Sequence, residues 1–444
     1  MTEPRKAPID KVVKPIQKFI QQEKSGGLIL GISVIVALVL ANSPLAEDYY
    51  RFFQHKFGFV FDGKTYLEYD IHHWINDGLM AIFFFVVGLE LKREIVAGEL
   101  AKPRKAMLPI IAALGGMIIP ASIYLLFNPT GEVHSGWGIP MATDIAFALG
   151  VLYLLGNRIP LGLKVFLTAL AIIDDLGAVL VIAFFYTSDI SIISLLLGFT
   201  FLIIMYAGNK MGVRSVLFYA LFGIGGLWIA FLLSGVHATI AAVLAAFTIP
   251  ANVKIKEDIF VSRIKKHLAR FSRVDPNDNI PTLTNDQLHI LEKMTTNTER
   301  AIPPLQKLEH AMHPFVTFII IPIFALANAG VSVLDIEPAQ LFSTNVAIGV
   351  ALGLLVGKVL GVMGFTWLAV KLKVAPFPTG MNLRNLFGLS LLASIGFTMS
   401  LFITELAFAN EIFKTQAKVG VFIASIIGGI LGYMVLKKQK AKTA

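Results

Sequence analysis

Long apolar runs separated by short polar connections dominate the pattern along this chain. A helix rises 1.5 Å per residue, so about 20 apolar residues cross a bilayer. Several runs are short, or are broken by glycine and proline. About twelve runs fit, near residues 26–42, 75–91, 107–127, 137–155, 161–186, 191–208, 214–234, 237–250, 312–330, 344–369, 384–406 and 417–436. This pattern predicts a single all-α polytopic membrane domain over residues 1–444, with about twelve transmembrane helices.

Composition agrees with this class. Apolar residues make up 56% of the chain, charged residues 15%, and the mean hydropathy is +0.73, whereas soluble domains carry about 25% charge. The absence of cysteine excludes a disulfide framework, a thiolate metal site and a thiol nucleophile. The first 24 residues are polar and basic and precede the apolar stretch Leu28–Ala41. Many spans follow, so a retained first helix is favoured over a cleaved signal peptide.

The distribution of basic residues predicts the orientation. With both termini in the cytoplasm, the inner segments hold 32 of the 38 Lys and Arg residues, which satisfies the positive-inside rule. Residues 1–25 and 437–444 are then the cytoplasmic ends. The net charge of +9 is therefore a topology signal. It indicates contact with anionic lipid, and we expect no nucleic-acid partner.

Two connections are long. The predicted cytoplasmic loop 251–310 contains helical patterns at Asp258–Arg270 and Asn285–Glu299. The predicted outer loop 43–73 contains alternating apolar and polar residues over 57–69, flanking Asp62-Gly63, a strong signal for an extracytoplasmic β-hairpin. An isolated hairpin is marginally stable in water, so we expect this one to pair with a second copy of the chain.

Adjacent acids lie in the middle of one apolar run. Asp174 and Asp175 lie within Val165–Tyr186, which has no other ionisable group until its last residue. One carboxylate at the centre of a membrane helix costs roughly 2.5–3.5 kcal/mol on insertion scales. Two neighbouring carboxylates also repel each other. The pair indicates an ion or proton site.

Two predicted spans are interrupted. Asp144 follows Thr143 in a span broken by Pro140, and Gly396 with nearby hydroxyl residues interrupts a second span. Non-helical backbone at membrane depth is tolerated where it lines a cavity or is buried in protein. Interrupted segments at corresponding positions of two halves indicate a transporter site at the membrane midplane. The breaks fall in spans four and eleven, which predicts two inverted three-helix repeats with discontinuous middle helices. Asp144 could also cap the second half of its own helix.

Lys358 is the basic residue placed well inside a span. It needs a carboxylate or helix C-terminal carbonyls as a partner. Neighbouring helical residues point about 100° apart, so one of the two adjacent aspartates can face water while the other pairs with Lys358. A purely structural lysine is the alternative.

Other ionisable residues lie at predicted helix ends. Glu90 and Glu94 are four residues apart and share a helix face, with Lys92 and Arg93 expected to point elsewhere. His237 heads the eighth span, where a histidine could sense pH or simply form a hydrogen bond.

Several motifs together resemble one family, the bacterial NhaA-type Na⁺/H⁺ antiporters. They are Val87-Gly-Leu-Glu-Leu-Lys-Arg-Glu94, Ala142-Thr-Asp-Ile-Ala-Phe-Ala-Leu-Gly150, Ala171-Ile-Ile-Asp-Asp-Leu-Gly177, Ser234-Gly-Val-His-Ala238, Leu308-Glu-His-Ala-Met-His-Pro314, Phe324-Ala-Leu-Ala-Asn-Ala-Gly-Val331 and Gly396-Phe-Thr-Met-Ser400. The chain departs from the family pattern in two ways: the loop before Leu308 is long, and Gln306 and Val359 stand where the family pattern suggests a basic residue and a proline.

The resemblance implies two crossed broken helices, a cytoplasmic funnel and a homodimer held by hairpin 57–69, in the bacterial inner membrane. It implies a cation and proton site at Asp174 and Asp175, which would bind Na⁺ or Li⁺, with Thr143 and Asp144 beside it. Lys358 would lie opposite, compensating charge together with Asp144. Glu90, Glu94 and Glu309 would belong to a pH-sensing cluster.

The expected chemistry is a competition between ligands. Protons and a small cation neutralise the same carboxylates, so alternating access gives exchange without a cofactor or enzymatic step. Because two carboxylates titrate, exchange would be electrogenic. A cation channel, or a transporter of another ion, is the alternative. An intramembrane aspartyl protease is disfavoured, because no Gly-x-Gly-Asp segment precedes Asp144 or Asp174.

Overall fold

The computed structural model describes residues 23–62, 64–187, 190–274, 282–332 and 344–438. Most of the predicted N-terminal segment 1–25 and of the tail 437–444 lies outside these ranges. The main helices are α1 Glu23–Ala41, α2 Ala46–Gln54, α3 Met80–Ala97, α4 Pro103–Phe127, α5 Ile145–Leu154, α6 Leu161–Phe185, α7 Ile192–Lys210, α8 Val216–Leu232, α9 Ala238–Thr248, α10 Glu257–Val274, α11 Asn285–Ala301, α12 Pro304–Asn328, α13 Val346–Lys371, α14 Leu383–Ala393, α15 Phe397–Ala407 and α16 Glu411–Lys437.

The all-α polytopic architecture is confirmed, because each predicted apolar run falls on a helix. In the described part of the chain, seven helices are long and apolar enough to cross a membrane, or up to nine if each bent pair counts as one span. Helices α8 and α9 are apolar but shorter. Large side chains such as Phe184, Ile193 and Leu217 are exposed on the outside of the bundle, as expected for a surface in contact with lipid.

Two predicted boundaries differ. Helix α12 begins at Pro304, inside the predicted loop 251–310, because Pro304 occupies a first-turn position where its missing N–H is not needed. The predicted outer loop 43–73 contains helix α2, whose buried Tyr49 and Phe53 anchor it to the bundle. The loop helices are present as predicted and are slightly longer, as α10 and α11.

The predicted hairpin is present over nearly the expected residues. Strands β1 Lys56–Phe61 and β2 Lys64–Asp70 are antiparallel, and Phe57 pairs with Tyr69. Asp62 has a φ of 49°, as a tight turn requires. The Trp74 indole N–H donates to the carbonyl oxygen of Phe57 at 3.0 Å, which ties the hairpin to the start of the second span.

Glycines bring α4 and α13 into close contact at the centre of the bundle. A Cβ added to Gly115 would meet the carbonyl oxygen of Gly361, and one added to Gly116 would lie 2.9 Å from the side chain of Val362. Small residues allow membrane helices to approach closely. The same Gly116 Cβ would lie 3.7 Å from the amino group of Lys358, so this contact also places the lysine in the core.

Candidate ion-binding site

The two predicted helix breaks are present and contact each other. Residues 142–144 separate a 3-10 segment from α5, and α14 and α15 are bent by 45° at their break. The backbone N–H of Asp144 donates to the carbonyl oxygen of Ile395 at 2.6 Å. The Thr143 hydroxyl donates to the carbonyl oxygen of Ala393 at 2.9 Å. Backbone groups freed by one break are therefore satisfied by the other.

Asp144 caps both helices that start at these breaks. Its Oδ1 accepts from the backbone N–H of Phe147 at 2.9 Å, in the first turn of α5. Its Oδ2 accepts from the backbone N–H of Thr398 at 3.0 Å and from the Thr398 hydroxyl at 2.5 Å, in the first turn of α15. A carboxylate at a helix N-terminus satisfies free N–H groups and offsets the positive end of the helix dipole. Asp144 is buried, and both of its oxygens accept hydrogen bonds from the protein.

The adjacent aspartates have different surroundings. The amino group of Lys358 lies 2.5 Å from Oδ2 of Asp174, and neither side chain is exposed. The neighbouring Asp175 is 1% exposed, and neither of its carboxylate oxygens has a hydrogen-bond partner among the residues described. Of the two arrangements left open by the sequence, the pair with Lys358 is therefore formed by Asp174.

A buried carboxylate without donors is unstable as a bare anion. Its charge is neutralised either by a proton or by a cation. Hard cations prefer oxygen ligands. Asp175 can therefore hold either of two small positive species, while Asp174 has a counter-charge in Lys358.

Acidic residues at the opposite end of α3 from the hairpin form an ion-pair cluster. Arg93 lies 3.0 Å from Oε1 of Glu94 and 2.8 Å from Oε1 of Glu309. His313 lies 4.0 Å from Glu90. The expectation that Arg93 points away from the acids is therefore wrong: its long side chain reaches both carboxylates, one of them on α12.

Two residues outside the short helix α9 interact at its ends, namely Lys92 of α3 and His237. The Lys92 amino group donates to the carbonyl oxygen of Phe247 at 2.7 Å and to that of Ile249, a favourable position for a cation at a helix C-terminus. His237 precedes the first residue of α9, and its Nε2 lies 2.8 Å from the carbonyl oxygen of Tyr186. The hydrogen-bonded alternative is thus present for His237, and pH sensing by this residue stays a prediction.

Comparison with known proteins decides the family. The model of the Na⁺/H⁺ antiporter 1 family matches residues 17–436. The chain belongs to this family. It is 47% identical over 432 residues to Na⁺/H⁺ antiporter NhaA 2 of Syntrophotalea carbinolica, covering 97% of this chain and 98% of that protein.

Two further relatives cover similar lengths. The Oleidesulfovibrio alaskensis Na⁺/H⁺ antiporter NhaA is 48% identical over 430 residues, 97% of this chain and 95% of its own. The Sulfurimonas denitrificans protein of the same name is 44% identical over 434 residues, 96% of each chain. Membership of a transporter family and the apolar helices place the chain among multi-pass proteins of the bacterial inner membrane.

Sequence reasoning missed two residues that hold buried or partly buried acids. Thr398 supplies two donors to Asp144, and Arg93 joins two acids. The signal for Thr398 was its place directly after the helix break at Gly396, where a first-turn hydroxyl and N–H face any nearby anion. Nothing in the spacing of Arg93 indicated that Glu309, on a distant span, would be its partner.

Proposed function

We propose that this protein is a secondary active antiporter that exchanges Na⁺ or Li⁺ for H⁺ by alternating access at Asp174 and Asp175. The observation that carries the proposal is the buried carboxylate of Asp175, which has no donor among the described residues and lies beside the Lys358–Asp174 pair. A buried acid without a donor is expected at a site that exchanges its neutralising ligand. A purely structural acid would instead have a permanent partner.

Competition at one site is sufficient for exchange. A cation and a proton each neutralise Asp175, and holding both would leave an excess of positive charge in a buried site. Facing the more alkaline side, the site loses protons and takes the cation; facing the more acidic side, protons displace the cation. Since Asp174 is a second titratable acid there, more protons than cations can move per cycle, which makes the exchange electrogenic.

The surrounding groups would offset the fixed charges next to the site. Thr143 and Asp144, in the first break, would complete the site, and Asp144 accepts hydrogen bonds from the N-termini of two helices. Lys358 balances the charge of Asp174.

The chain would have both termini in the cytoplasm and export cytoplasmic cations. The Arg93 cluster, with Glu90, Glu94 and Glu309, and His237 would adjust its response to pH.

Two partner surfaces belong to the same proposal. The hairpin exposes Phe57, Phe59 and Val60, and we expect it to pair with a second copy of the chain through hairpin 57–69. Helix α10 carries exposed basic residues at helical spacing, namely Arg263, Lys266, Arg270 and Arg273, which would bind anionic lipid at the cytoplasmic surface.

The test is proton movement in everted membrane vesicles, followed with a pH-sensitive dye on addition of Na⁺, Li⁺ or K⁺. Asp175→Asn preserves shape but removes the charge, so cation-driven proton movement should be lost while the protein remains in the membrane. Asp258→Asn, the same change on the exposed loop helix α10, is the matched control and should keep full exchange.

Near-normal exchange by Asp175→Asn would overturn the site assignment. A flux that neither saturates nor shows counterflow would indicate a channel. A response to K⁺ alone would indicate a transporter of another ion.

A further inference from the structure

A second buried charged cluster lies at the hairpin end of the bundle, away from the aspartate pair. Glu405, near the end of α15, has a side chain only 6% exposed. Its two oxygens lie 3.1 Å from the amino group of Lys414 and 2.7 Å from that of Lys418, both in the first turns of α16. The proposed exchange chemistry uses none of these three residues.

Polar residues from two other helices face this cluster. Asn328, at the end of α12, donates to Oδ1 of Asn76 at 2.9 Å. Its own Oδ1 lies 3.0 Å from Nε2 of His72, which precedes α3. Burial lowers the pKa of His72, and the charges of Glu405 and Lys418 act on that pKa in opposite directions, Glu405 raising it and Lys418 lowering it. The ion pairs therefore join α15 to α16, and the hydrogen bonds join α12 to the segment before α3.

An aromatic layer lies directly beneath the polar one. The Phe402 ring of α15 is 5.5 Å from that of Phe84 in α3 and 6.2 Å from that of Phe324 in α12. All three side chains are fully buried. Phe402 and Glu405 are three residues apart and share a face of α15. The aromatic ring on that face therefore packs against α3 and α12, and the carboxylate one turn later pairs with α16.

The burial of these ions is by itself weak evidence for a role in stability. A buried ion pair is often no more stable than apolar residues of the same volume. An ion pair is, however, a contact that water can replace when two elements separate, and such pairs repack at interfaces that move. In transporters, access alternates by movement of one group of helices against another around a fixed site.

We propose that Glu405 and Lys418, facing His72, Asn76 and Asn328, form a gate that closes the path between Asp175 and the hairpin end of the bundle. The inference rests on the proposed exchange function. Glu405 acts as a positioning residue: it holds α16 to α15, whose Phe402 packs on α3 and α12, while the site faces the other way, and the pair separates when the site opens toward the hairpin end.

The chain has no cysteine, so one introduced thiol reports access. Ala325 is fully buried in α12, three residues before Asn328 and on the same face, hence beneath the polar layer. In an Ala325→Cys background that retains exchange, a membrane-impermeant maleimide is added from the hairpin side. Glu405→Gln with Lys418→Gln should raise the labelling rate on the order of tenfold, the change produced by ~1.4 kcal/mol between two states.

Glu47→Gln is the matched control. It removes an exposed ion pair with Arg51 on α2, in the same outer region of the chain, and should leave labelling unchanged. Glu405→Asp keeps the charge, shortens the side chain and should give a smaller increase, which tests the gate even if the double variant does not fold.

Unchanged labelling in Glu405→Asp, or in a folded Gln double variant, overturns the gate, as does an equal increase in Glu47→Gln. Cation-driven proton movement of the same variants is measured separately in everted vesicles, because labelling from the hairpin side needs membranes of the opposite orientation. Its loss in Asp175→Asn, with no change in labelling for the Glu405 variants, would support the exchange site and refute the gate alone.

Discussion

Removal of the Lys358 amino group is the sharpest test of the buried ion pair. Lys358 lies 2.5 Å from Asp174, and both side chains are inaccessible. Lys358→Ala leaves a buried carboxylate without its counter-charge and an open volume beside Gly116, whose added Cβ would lie 3.6 Å from Cδ of the lysine. Both effects destabilise the folded protein.

The magnitude follows from distance and burial. Two charges 2.5 Å apart interact with about 7 kcal/mol at an effective dielectric constant of 20, from which desolvation subtracts. Breaking a buried pair by removing one partner typically costs about 3–5 kcal/mol. The exposed pair Lys307–Glu299, at 3.3 Å and more than half exposed on both sides, should contribute less than about 1 kcal/mol.

The assay is thermal unfolding in detergent together with the pH profile of transport. Lys358→Ala should unfold several degrees below Lys307→Ala. Its transport should begin at higher pH, because loss of a neighbouring positive charge makes proton release from the aspartates less favourable. Lys358→Arg retains the charge and should keep much of the activity, although the planar guanidinium differs in shape.

A double variant separates charge from packing. Asp174→Asn with Lys358→Met leaves no unpaired charge, and it should recover much of the stability lost in Lys358→Ala. Equal stability of Lys358→Ala and Lys307→Ala, with the same pH profile, would refute the buried pair.

Three further predictions concern other contacts. Thr398→Val removes a hydroxyl donor to Asp144 and should lower the free energy of unfolding by about 1.5–3 kcal/mol, measured by thermal unfolding. A loss no larger than that of an exposed Thr→Val change would contradict the cap. Deletion of residues 57–69 should give monomers that still transport, measured by light scattering and dye dequenching, and a persistent dimer would exclude the hairpin as the contact. Arg93→Gln breaks the contact with Glu309 and should shift the pH profile while leaving maximal exchange intact, whereas an unchanged profile would remove this cluster from pH control.

Local patterns were sufficient for the architecture. Each predicted apolar run falls on a helix of the structure. The reason is that a helix in lipid must satisfy its own backbone hydrogen bonds and cover them with apolar side chains. Asp62-Gly63 predicted the hairpin for an equally local reason, since a two-residue turn needs positive φ angles. The residues that carry the proposed chemistry stood out because ionisable groups inside apolar runs are costly.

The partner of each buried charge was decided by tertiary structure alone. The sequence placed two aspartates 100° apart and a lysine elsewhere, but only the folded structure shows that the lysine meets Asp174. Likewise, Asp144 and Thr398 are 254 positions apart, and their contact exists only because the two breaks cross.

The clusters at the two ends of the bundle have the same origin. Arg93 pairs with Glu309, and His72 contacts Asn328, across spans that are remote in sequence. Spacing along a helix determines which residues share a face. It does not determine which other helix covers that face, because that choice depends on packing summed over the whole bundle.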